Sequence, residues 1–291
     1  SDGTRKILFE AAQGGAGAAS GPADAGAASD QSDEACGAVD TFEGVFMKYS
    51  YGNSLCVSSQ VGCRMGCSFC ASTLDGLERN LQAGEMLEQI YEIRRQTGEK
   101  ISRVVVMGTG EPFDNYDNVM RTIEILTADW GFGWSPKRIT LSTIGVMPNL
   151  KRYLDECKCH LAVSLHNPFA PERLSVMPVQ GAWPIQEVID LIKQYDFTGQ
   201  RRVSFEYTMF AGFNDTKAHA DALVRMLKGL ECRMNLIRFH KIPDFPYETS
   251  PDVIIENFNK NGNIPLCQDT GLACVFINVG QEVHIEGNLY G

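Results

Sequence analysis

From residue 55 to residue 239 the chain alternates short apolar runs with longer stretches in which apolar residues recur at helical spacing. The short runs are rich in β-branched residues and predict strands at 55–59, 103–107, 138–142, 160–165, 202–210 and 233–239. The longer stretches predict helices at 83–96, 116–129, 147–154, 184–195 and 215–230. Every connection is long enough for a right-handed crossover, so the pattern predicts a parallel sheet that partly closes into a barrel.

Two strand-like runs precede this core. Residues 1–10 end in one of them, and residues 41–49 alternate apolar and polar positions. Residues 11–38, between them, are mostly Ala, Gly and Ser with too few large apolar side chains to pack, so we expect a flexible loop. The two runs should pair across this loop as a hairpin. We therefore divide the chain into N-terminal strands (1–54), a core (55–250) and an atypical C-terminal segment (251–291).

Composition limits the class of protein. No run approaches the ~20 apolar residues of a membrane span, and no charged and apolar leader is recognisable, so we expect a cytoplasmic protein with free thiols. The net charge of −10 argues against a broad nucleic-acid-binding surface. Small basic clusters such as Arg94-Arg95 and Arg201-Arg202 leave a local RNA-binding patch open.

Three cysteines follow the first core strand at the spacing C-x3-C-x2-C: Cys63, Cys67 and Cys70. Thiolates this close on a loop can converge on a soft metal centre, and cubane iron–sulfur clusters are held by Cys thiolates. Three ligands would leave one iron open to bind another molecule. A disulfide fits an odd number of thiols poorly, and structural zinc usually recruits C-x2-C pairs, but both alternatives stay open at this point.

Polar residues end the next three strands. The second is followed by Gly108-Thr109-Gly110-Glu111-Pro112, in which the glycines permit close backbone approach to a ligand. Ser142 ends the third strand, and Ser164-Leu165-His166 ends the fourth. His166 alone would more often be a structural residue than a functional one. Because ligands of parallel sheets sit at the carboxyl ends of the strands, these positions together predict one rim around one cofactor.

The cysteine loop, the Gly-x-Gly-Glu-Pro turn and the Ser-Leu-His strand end together resemble radical S-adenosylmethionine (SAM) enzymes. The run Cys-Val-Ser-Ser-Gln-Val-Gly-Cys resembles more narrowly the RlmN/Cfr-type RNA adenine methyltransferases, and the resemblance covers about residues 2–250. It implies a partial (βα)6 barrel with an N-terminal hairpin, in which Cys63, Cys67 and Cys70 hold a [4Fe–4S] cluster whose fourth iron chelates SAM. The family's positions for binding SAM correspond to Gly110, Glu111, Ser142, Ser164, Leu165, His166 and, where many members have Asn, His240.

The resemblance also implies a chemistry. One SAM molecule methylates a cysteine near the C-terminus, and a second is cleaved to a radical that activates this methyl group for addition to carbon 2 of an adenine. Cys56 corresponds to the cysteine that resolves the adduct and Glu43 to the general base, although Glu43 alone would be an ordinary exposed strand acid. The implied partners are 23S ribosomal RNA, transfer RNA as a further candidate, and an electron donor such as flavodoxin or ferredoxin acting on a monomer. Relatives that methylate carbon 8 share these motifs.

The C-terminal segment departs from the family pattern. Members end in an Ala-Ala-Cys-Gly-Gln-Leu-like segment, whereas residues 280–289 here contain no cysteine. About residues 255–291, including Cys267-Gln-Asp-Thr-Gly, instead resemble the N-terminal region of class I fumarate hydratases. Cys267 and Cys274 are the candidate substitutes for the methyl carrier. Two alternatives therefore accompany methyl transfer: a radical SAM enzyme that cleaves its cofactor without methylating RNA, and a non-catalytic iron–sulfur protein that binds RNA.

Overall fold

The computed structural model describes residues 4–11, 40–50, 52–197, 201–242 and 245–262. Nearly all of the predicted flexible loop lies outside the described residues, and so does the chain from residue 263 onward, with Cys267 and Cys274.

Most of the predicted strands join one sheet. The described residues form ten strands: β1 Arg5–Ala11, β2 Asp40–Met47, β3 Asn53–Val57, β4 Gln60–Gly62, β5 Leu77–Asn80, β6 Ile101–Val106, β7 Ile139–Thr143, β8 His160–Ser164, β9 Val203–Met209 and β10 Cys232–Arg238. Eight of them lie in the order β1-β2-β3-β6-β7-β8-β9-β10, while β4 and β5 pair separately as a short antiparallel ribbon.

The direction of pairing confirms the predicted fold class. Strands β3, β6, β7, β8, β9 and β10 pair in parallel, each with its neighbour in that order. The hairpin of β1 and β2 extends this sheet on the β3 side through antiparallel pairing. Six parallel strands linked by crossovers form the partial (βα)6 barrel, and the N-terminal hairpin pairs across the long loop as expected.

Helices cover the crossovers between parallel strands. The described helices are α1 Ala83–Thr97, α2 Tyr116–Thr127, α3 Met147–Glu156, α4 Ala170–Val176, α5 Ile185–Ile192, α6 Lys217–Leu227 and α7 Asp252–Gly262. Helix α1 shows why the boundaries fall where they do: Gln82 and Glu85 form a capping box at its start, and Gly98, at a φ of 69°, ends it in the left-handed conformation. All five predicted helices are present, and α4 and α7 are additional.

The core lies between the parallel strands and these helices. Leu141 and Leu161 of the central strands and Ile93 of α1 are fully buried. Burial of each such side chain contributes roughly 1.5–3 kcal/mol. The strands are apolar on both faces because helices cover one face and residues near the cavity cover the other, which leaves polar side chains to the strand ends. In the described part of the chain, no helix is both long and apolar enough to cross a membrane.

Candidate active site at the carboxyl ends of the strands

A cavity of about 260 Å³ opens at the carboxyl ends of the parallel strands. Its walls come from β2 and β3, from the cysteine loop after β4, and from the ends of the later strands. Eleven of the twelve predicted site residues line it: Glu43, Cys56, Cys63, Cys67, Cys70, Gly110, Glu111, Ser142, Ser164, His166 and His240. The exception is Leu165, whose side chain is fully buried in the hydrophobic core.

The segment Ser58-Ser59-Gln60 holds the glycine turn against the end of β3. The amides of Ser59 and Gln60 donate to the carbonyl of Thr109 over 3.0 and 3.2 Å, and the Thr109 amide donates to the Ser58 hydroxyl over 2.8 Å. Gly110 has a φ of 105°, and a Cβ there would lie 2.6 Å from Cβ of Gln60. The turn therefore requires glycine at this position, because any side chain would be both strained and crowded.

The cysteine loop is fixed by backbone hydrogen bonds from several sides. The Cys63 amide donates to the carbonyl of Gly76 over 2.7 Å, and the Cys70 amide donates to the carbonyl of Cys67 over 3.0 Å. A long-range bond joins the Ser68 amide to the carbonyl of Val176 at the end of α4, over 3.0 Å. The loop is thus tied both to its own ribbon and to a helix more than a hundred residues away in sequence.

The three thiols are free, and they lie close enough to influence one another. Burial raises the pKa of Cys63 to about 11, and the charge of Cys70 acts in the same direction. Burial also raises the pKa of Cys67, with Cys70 and Cys63 adding to the effect, while Arg173 opposes it. Ionising Cys63 and Cys67 is therefore unfavourable in the protein alone, and a cation bound beside them would offset the cost.

This donor set fits an iron–sulfur cluster. All three thiols line one cavity, and the ligands of a cubane bind different irons of the same cluster. Soft thiolates are the ligands that such clusters use.

Glu206 of β9 is a buried acid of the rim that the sequence analysis did not single out. Its Oε2 accepts hydrogen bonds from the hydroxyls of Ser142 and Ser164, over 3.0 and 3.3 Å, while its Oε1 is buried and has no partner among the described residues. Burial raises its pKa to about 7, and the two hydroxyls counteract this. It lines the cavity, so the free oxygen is available to a donor group of a bound ligand.

His166 has an unusual backbone. Its φ of 55° is the one positive value outside glycine in the described residues. Its amide donates to the carbonyl of Glu206 over 3.1 Å, and its Nδ1 accepts from the amide of Thr208 over 2.9 Å. Burial, assisted by the charge of Arg173, lowers the pKa of the ring to about 3. The imidazole is therefore neutral at physiological pH and carries its proton on Nε2.

Glu111 uses its carboxylate inside the protein. One oxygen accepts from the Thr143 hydroxyl over 2.6 Å and from the amide of Phe113 over 3.0 Å, and the other accepts from the amide of Ile144 over 2.9 Å. These bonds take up most of the acceptor capacity of the side chain. These bonds hold the glycine turn against β7, and the assignment of Glu111 to SAM binding stays a prediction.

Glu43 and Cys56 share one face of the sheet. Val45 is the register partner of Cys56, and Glu43 lies two residues before Val45 on β2. The Glu43 carboxylate forms an ion pair with the ammonium of Lys6 on the neighbouring strand at 2.5 Å, and each side chain is 20% exposed. Cys56 is only 1% exposed and packs in a small apolar cluster with Val45 and Met47.

Aromatic side chains close one side of the cavity. Phe69 of the cysteine loop meets the ring of His166 edge-on at 5.0 Å and contacts Phe210 at 5.3 Å and Phe245 at 6.3 Å. Phe69 itself lines the cavity. The loop is therefore packed against the barrel as well as hydrogen-bonded to it.

Comparison with family models gives two matches. The model of the radical SAM superfamily matches residues 57–224, which is more than half of the chain. The model described as fumarate hydratase (Fumerase) matches residues 252–290. The second match agrees with the resemblance noted from Cys267-Gln-Asp-Thr-Gly, and it begins where α7 begins.

Curated relatives and solved structures give the same assignment. The "Probable dual-specificity RNA methyltransferase RlmN" of Parabacteroides distasonis is 53% identical over 74% of this chain, and that of Clostridium perfringens is 46% identical over the same share. The chain spans only 62% of the length of these two relatives. The crystal structure of a radical SAM methyltransferase from Sphaerobacter thermophilus superposes with a TM-score of 0.75 at 39% identity, covering 79% of this chain and 69% of that one. This chain belongs to the radical SAM superfamily, and its relatives there are methyltransferases of the RlmN type.

Proposed function

We propose that this chain is the radical SAM core of an RNA methyltransferase that acts on carbon 2 of an adenine in 23S ribosomal RNA, with transfer RNA as a further substrate. One observation carries the proposal: the three thiols, the glycine turn and the polar strand ends all line one cavity. The names of the relatives support the choice of RNA as the substrate.

Each part of the cavity has a distinct task in this proposal. Cys63, Cys67 and Cys70 hold a [4Fe–4S] cluster, which when bound supplies the electron that cleaves SAM reductively. The backbone of Gly110 lets the cofactor approach closely. The free oxygen of Glu206 accepts from a cofactor donor. His240, exposed at the mouth after β10, completes the rim.

Glu43 and Cys56 act on the substrate side. Lys6 fixes the Glu43 carboxylate at the cavity wall, where it can take a proton from the reacting adenine as general base. Cys56, as a thiolate, would attack the sulfur of the methyl-carrying cysteine in the covalent adduct. The S–S bond forms as the bond from that sulfur to the transferred carbon breaks, and the carbon keeps the electron pair and is protonated, which releases the product. This last step needs a second cysteine that carries the methyl group, and Cys267 and Cys274 are the candidates in the tail.

A second function is favoured by one feature of the sequence. Residues 280–289 contain no cysteine, so a chain that lacks a usable methyl carrier would cleave SAM without methylating RNA. The two functions share the cluster and the cofactor cavity and differ only in the final transfer.

Anaerobic reconstitution with iron and sulfide, followed by dithionite, labelled SAM and a 23S ribosomal RNA fragment, tests the proposal. We expect 5′-deoxyadenosine and label in the RNA, and the position of the label identifies carbon 2 or carbon 8. Deoxyadenosine without RNA label supports the second function. Retention of RNA without any cleavage supports a non-catalytic iron–sulfur protein, and absence of iron–sulfur absorbance refutes all three. Replacing dithionite with reduced flavodoxin tests the proposed electron donor.

A further inference from the structure

Arg173 of α4 is a fully buried cation next to the cluster-binding loop. Its exposed fraction is 0%. The guanidinium donates to the carbonyls of Leu165 over 3.0 Å, Ser164 over 3.1 Å and Ile144 over 3.4 Å, and to Oε1 of Gln180 over 2.8 Å. It therefore joins the ends of β7 and β8 to the segment that follows α4.

All of these acceptors are neutral. Among the described residues, no carboxylate pairs with Arg173, although its hydrogen bonds are well made. Removing an arginine charge from water is costly, and proteins offset this cost by placing an opposite charge nearby. Carbonyl dipoles offset part of it, but within the described ranges no carboxylate is paired with this positive charge.

The cysteine loop, which packs against the end of α4, carries three thiols that can become anionic. The loop is bonded to α4 through the Ser68 amide and the carbonyl of Val176, one turn beyond Arg173. Ser164 and Ile144, whose carbonyls accept from Arg173, line the same cavity as Cys67. Three thiolates on an iron–sulfur cluster carry a net negative charge that this position would face.

We propose that Arg173 is the counter-charge of the iron–sulfur cluster and that it makes the cluster easier to reduce. The inference rests on the proposed function only in that a [4Fe–4S] cluster occupies the three cysteines. Reduction adds one electron to the cluster and breaks no bond, so the anionic charge near the guanidinium increases. A fixed cation stabilises the more negative state more strongly, and burial limits the screening of this effect by solvent.

The alternative role for Arg173 is purely structural, as a tie between strand ends. Charge and hydrogen bonding are separated by three substitutions. Arg173→Lys keeps the positive charge but loses the several N–H donors of the guanidinium, whereas Arg173→Gln loses the charge. Gln180→Glu leaves Arg173 in place and sets a carboxylate against it, at the position where Gln180 Oε1 now accepts over 2.8 Å. It also keeps an acceptor for the amide of Ile185.

Arg201 supplies a matched control. It is 6% exposed and donates to the carbonyls of Leu154 and Cys157 over 2.9 and 2.8 Å. Leu154 and Cys157 precede β8, and Arg201 precedes β9. They therefore lie at the amino ends of the parallel strands, whereas the cysteine loop lies at the carboxyl ends. Arg201→Gln therefore removes a buried guanidinium of the same kind far from the cluster.

The test is the reduction potential of the reconstituted cluster in the full chain, followed by electron paramagnetic resonance during titration with dithionite. At a fixed potential we expect Arg173→Gln and Gln180→Glu to lower the ratio of reduced to oxidised cluster about tenfold, which for one electron is about 59 mV. Arg173→Lys and Arg201→Gln should stay near the wild-type potential. Because Gln180→Glu retains Arg173, it reports on the charge even where Arg173→Gln does not fold.

The outcomes separate the inference from the proposed function. If Gln180→Glu assembles a full cluster with the wild-type reduction potential, Arg173 is not the counter-charge of the cluster. The proposed function is unaffected by that result. Equal shifts of the reduction potential in Arg173→Lys and Arg173→Gln also overturn the inference, because they show that Arg173 acts through its hydrogen bonds rather than its charge. Wild-type protein that assembles no iron–sulfur cluster overturns the proposed function and this inference together.

Discussion

Replacing Glu206 with Gln should make the folded protein more stable at neutral pH. The carboxyl is buried beside Ser142 and Ser164, and burial raises its pKa from 4.5 to about 7. Gln is close in shape to the protonated acid, carries no charge, and still accepts from both hydroxyls. The substitution therefore removes the cost of ionising Glu206 in the folded state while keeping its packing.

The size of the effect follows from linkage. The unfolded chain loses the Glu206 proton near pH 4.5, whereas the folded protein keeps it until about pH 7. Between these values unfolding releases this proton, so the free energy of unfolding falls as pH rises, by about 1.4 kcal/mol per pH unit. Between pH 4.5 and pH 7, ionisation of Glu206 lowers the free energy of unfolding by about 3 kcal/mol in total. Glu111, whose pKa burial also raises to about 7, adds a similar loss.

Urea unfolding of the iron-free protein at several pH values from 4.5 to 7.5 measures how steeply the free energy of unfolding falls with pH. Glu206→Gln should nearly match the wild type at pH 4.5, where the folded acid is protonated and the unfolded acid is half protonated, and exceed it by about 3 kcal/mol at pH 7.5. The stability at pH 4.5 is an internal control for packing. A variant whose stability depends on pH as steeply as that of the wild type would refute the argument from burial.

The remaining predictions concern the turn, the cluster and the hairpin. Gly110→Ala should lower the free energy of unfolding in urea by about 2–5 kcal/mol from strain and crowding, whereas Gly84→Ala in α1, with nothing within 4 Å of its new Cβ, should be neutral or stabilising. Cys63→Ala should abolish iron–sulfur absorbance on reconstitution, whereas Cys232→Ala, at the start of β10, should retain it. Lys6→Met should lower RNA methylation several-fold while leaving deoxyadenosine formation unchanged, because it frees the carboxylate with which Lys6 pairs.

Each of these predictions has a contradicting result. Equal stability of the two alanine variants would mean that the turn accepts a side chain at Gly110. A cluster of normal yield in Cys63→Ala would remove that thiol from the ligand set. Parallel loss of cofactor cleavage and methylation in Lys6→Met would show that the ion pair supports the whole barrel rather than Glu43 alone.

The sequence predicts the parallel strands well because each is a β-branched, apolar run that is buried on both faces. All six core strands begin and end within two residues of the predicted bounds. The elements that were missed lack such a signal. Helix α4 is only 7 residues long, too short for a helical period to be visible, and strand β5, Leu77–Asn80, alternates partly buried and exposed positions with mostly polar residues.

The candidate site divides in the same way. The strand-end rule finds the serines and His166, because polar residues there interrupt apolar runs. Arg173 follows Glu172 in a short helix, and nothing in its sequence surroundings separates it from an exposed residue. The burial of Arg173 and Glu206 depends on neighbours distant in sequence, such as Ser142 for Glu206. The one signal available for Glu206 was its place between Phe205 and Tyr207 in a strand with no other charged residue.

The bond between Ser68 and Val176 has a consequence for biosynthesis. These residues are 108 positions apart, so the cysteine loop cannot dock on α4 until the ribosome has made that much more chain. At about 5–20 residues per second, the three thiols wait on the order of 5–20 s in an undocked loop. During this interval they are exposed to oxidation and to competing metal ions. Insertion of the proposed cluster would therefore be a late event in the life of the nascent chain, and protecting the thiols until then would raise the yield of cluster-containing protein.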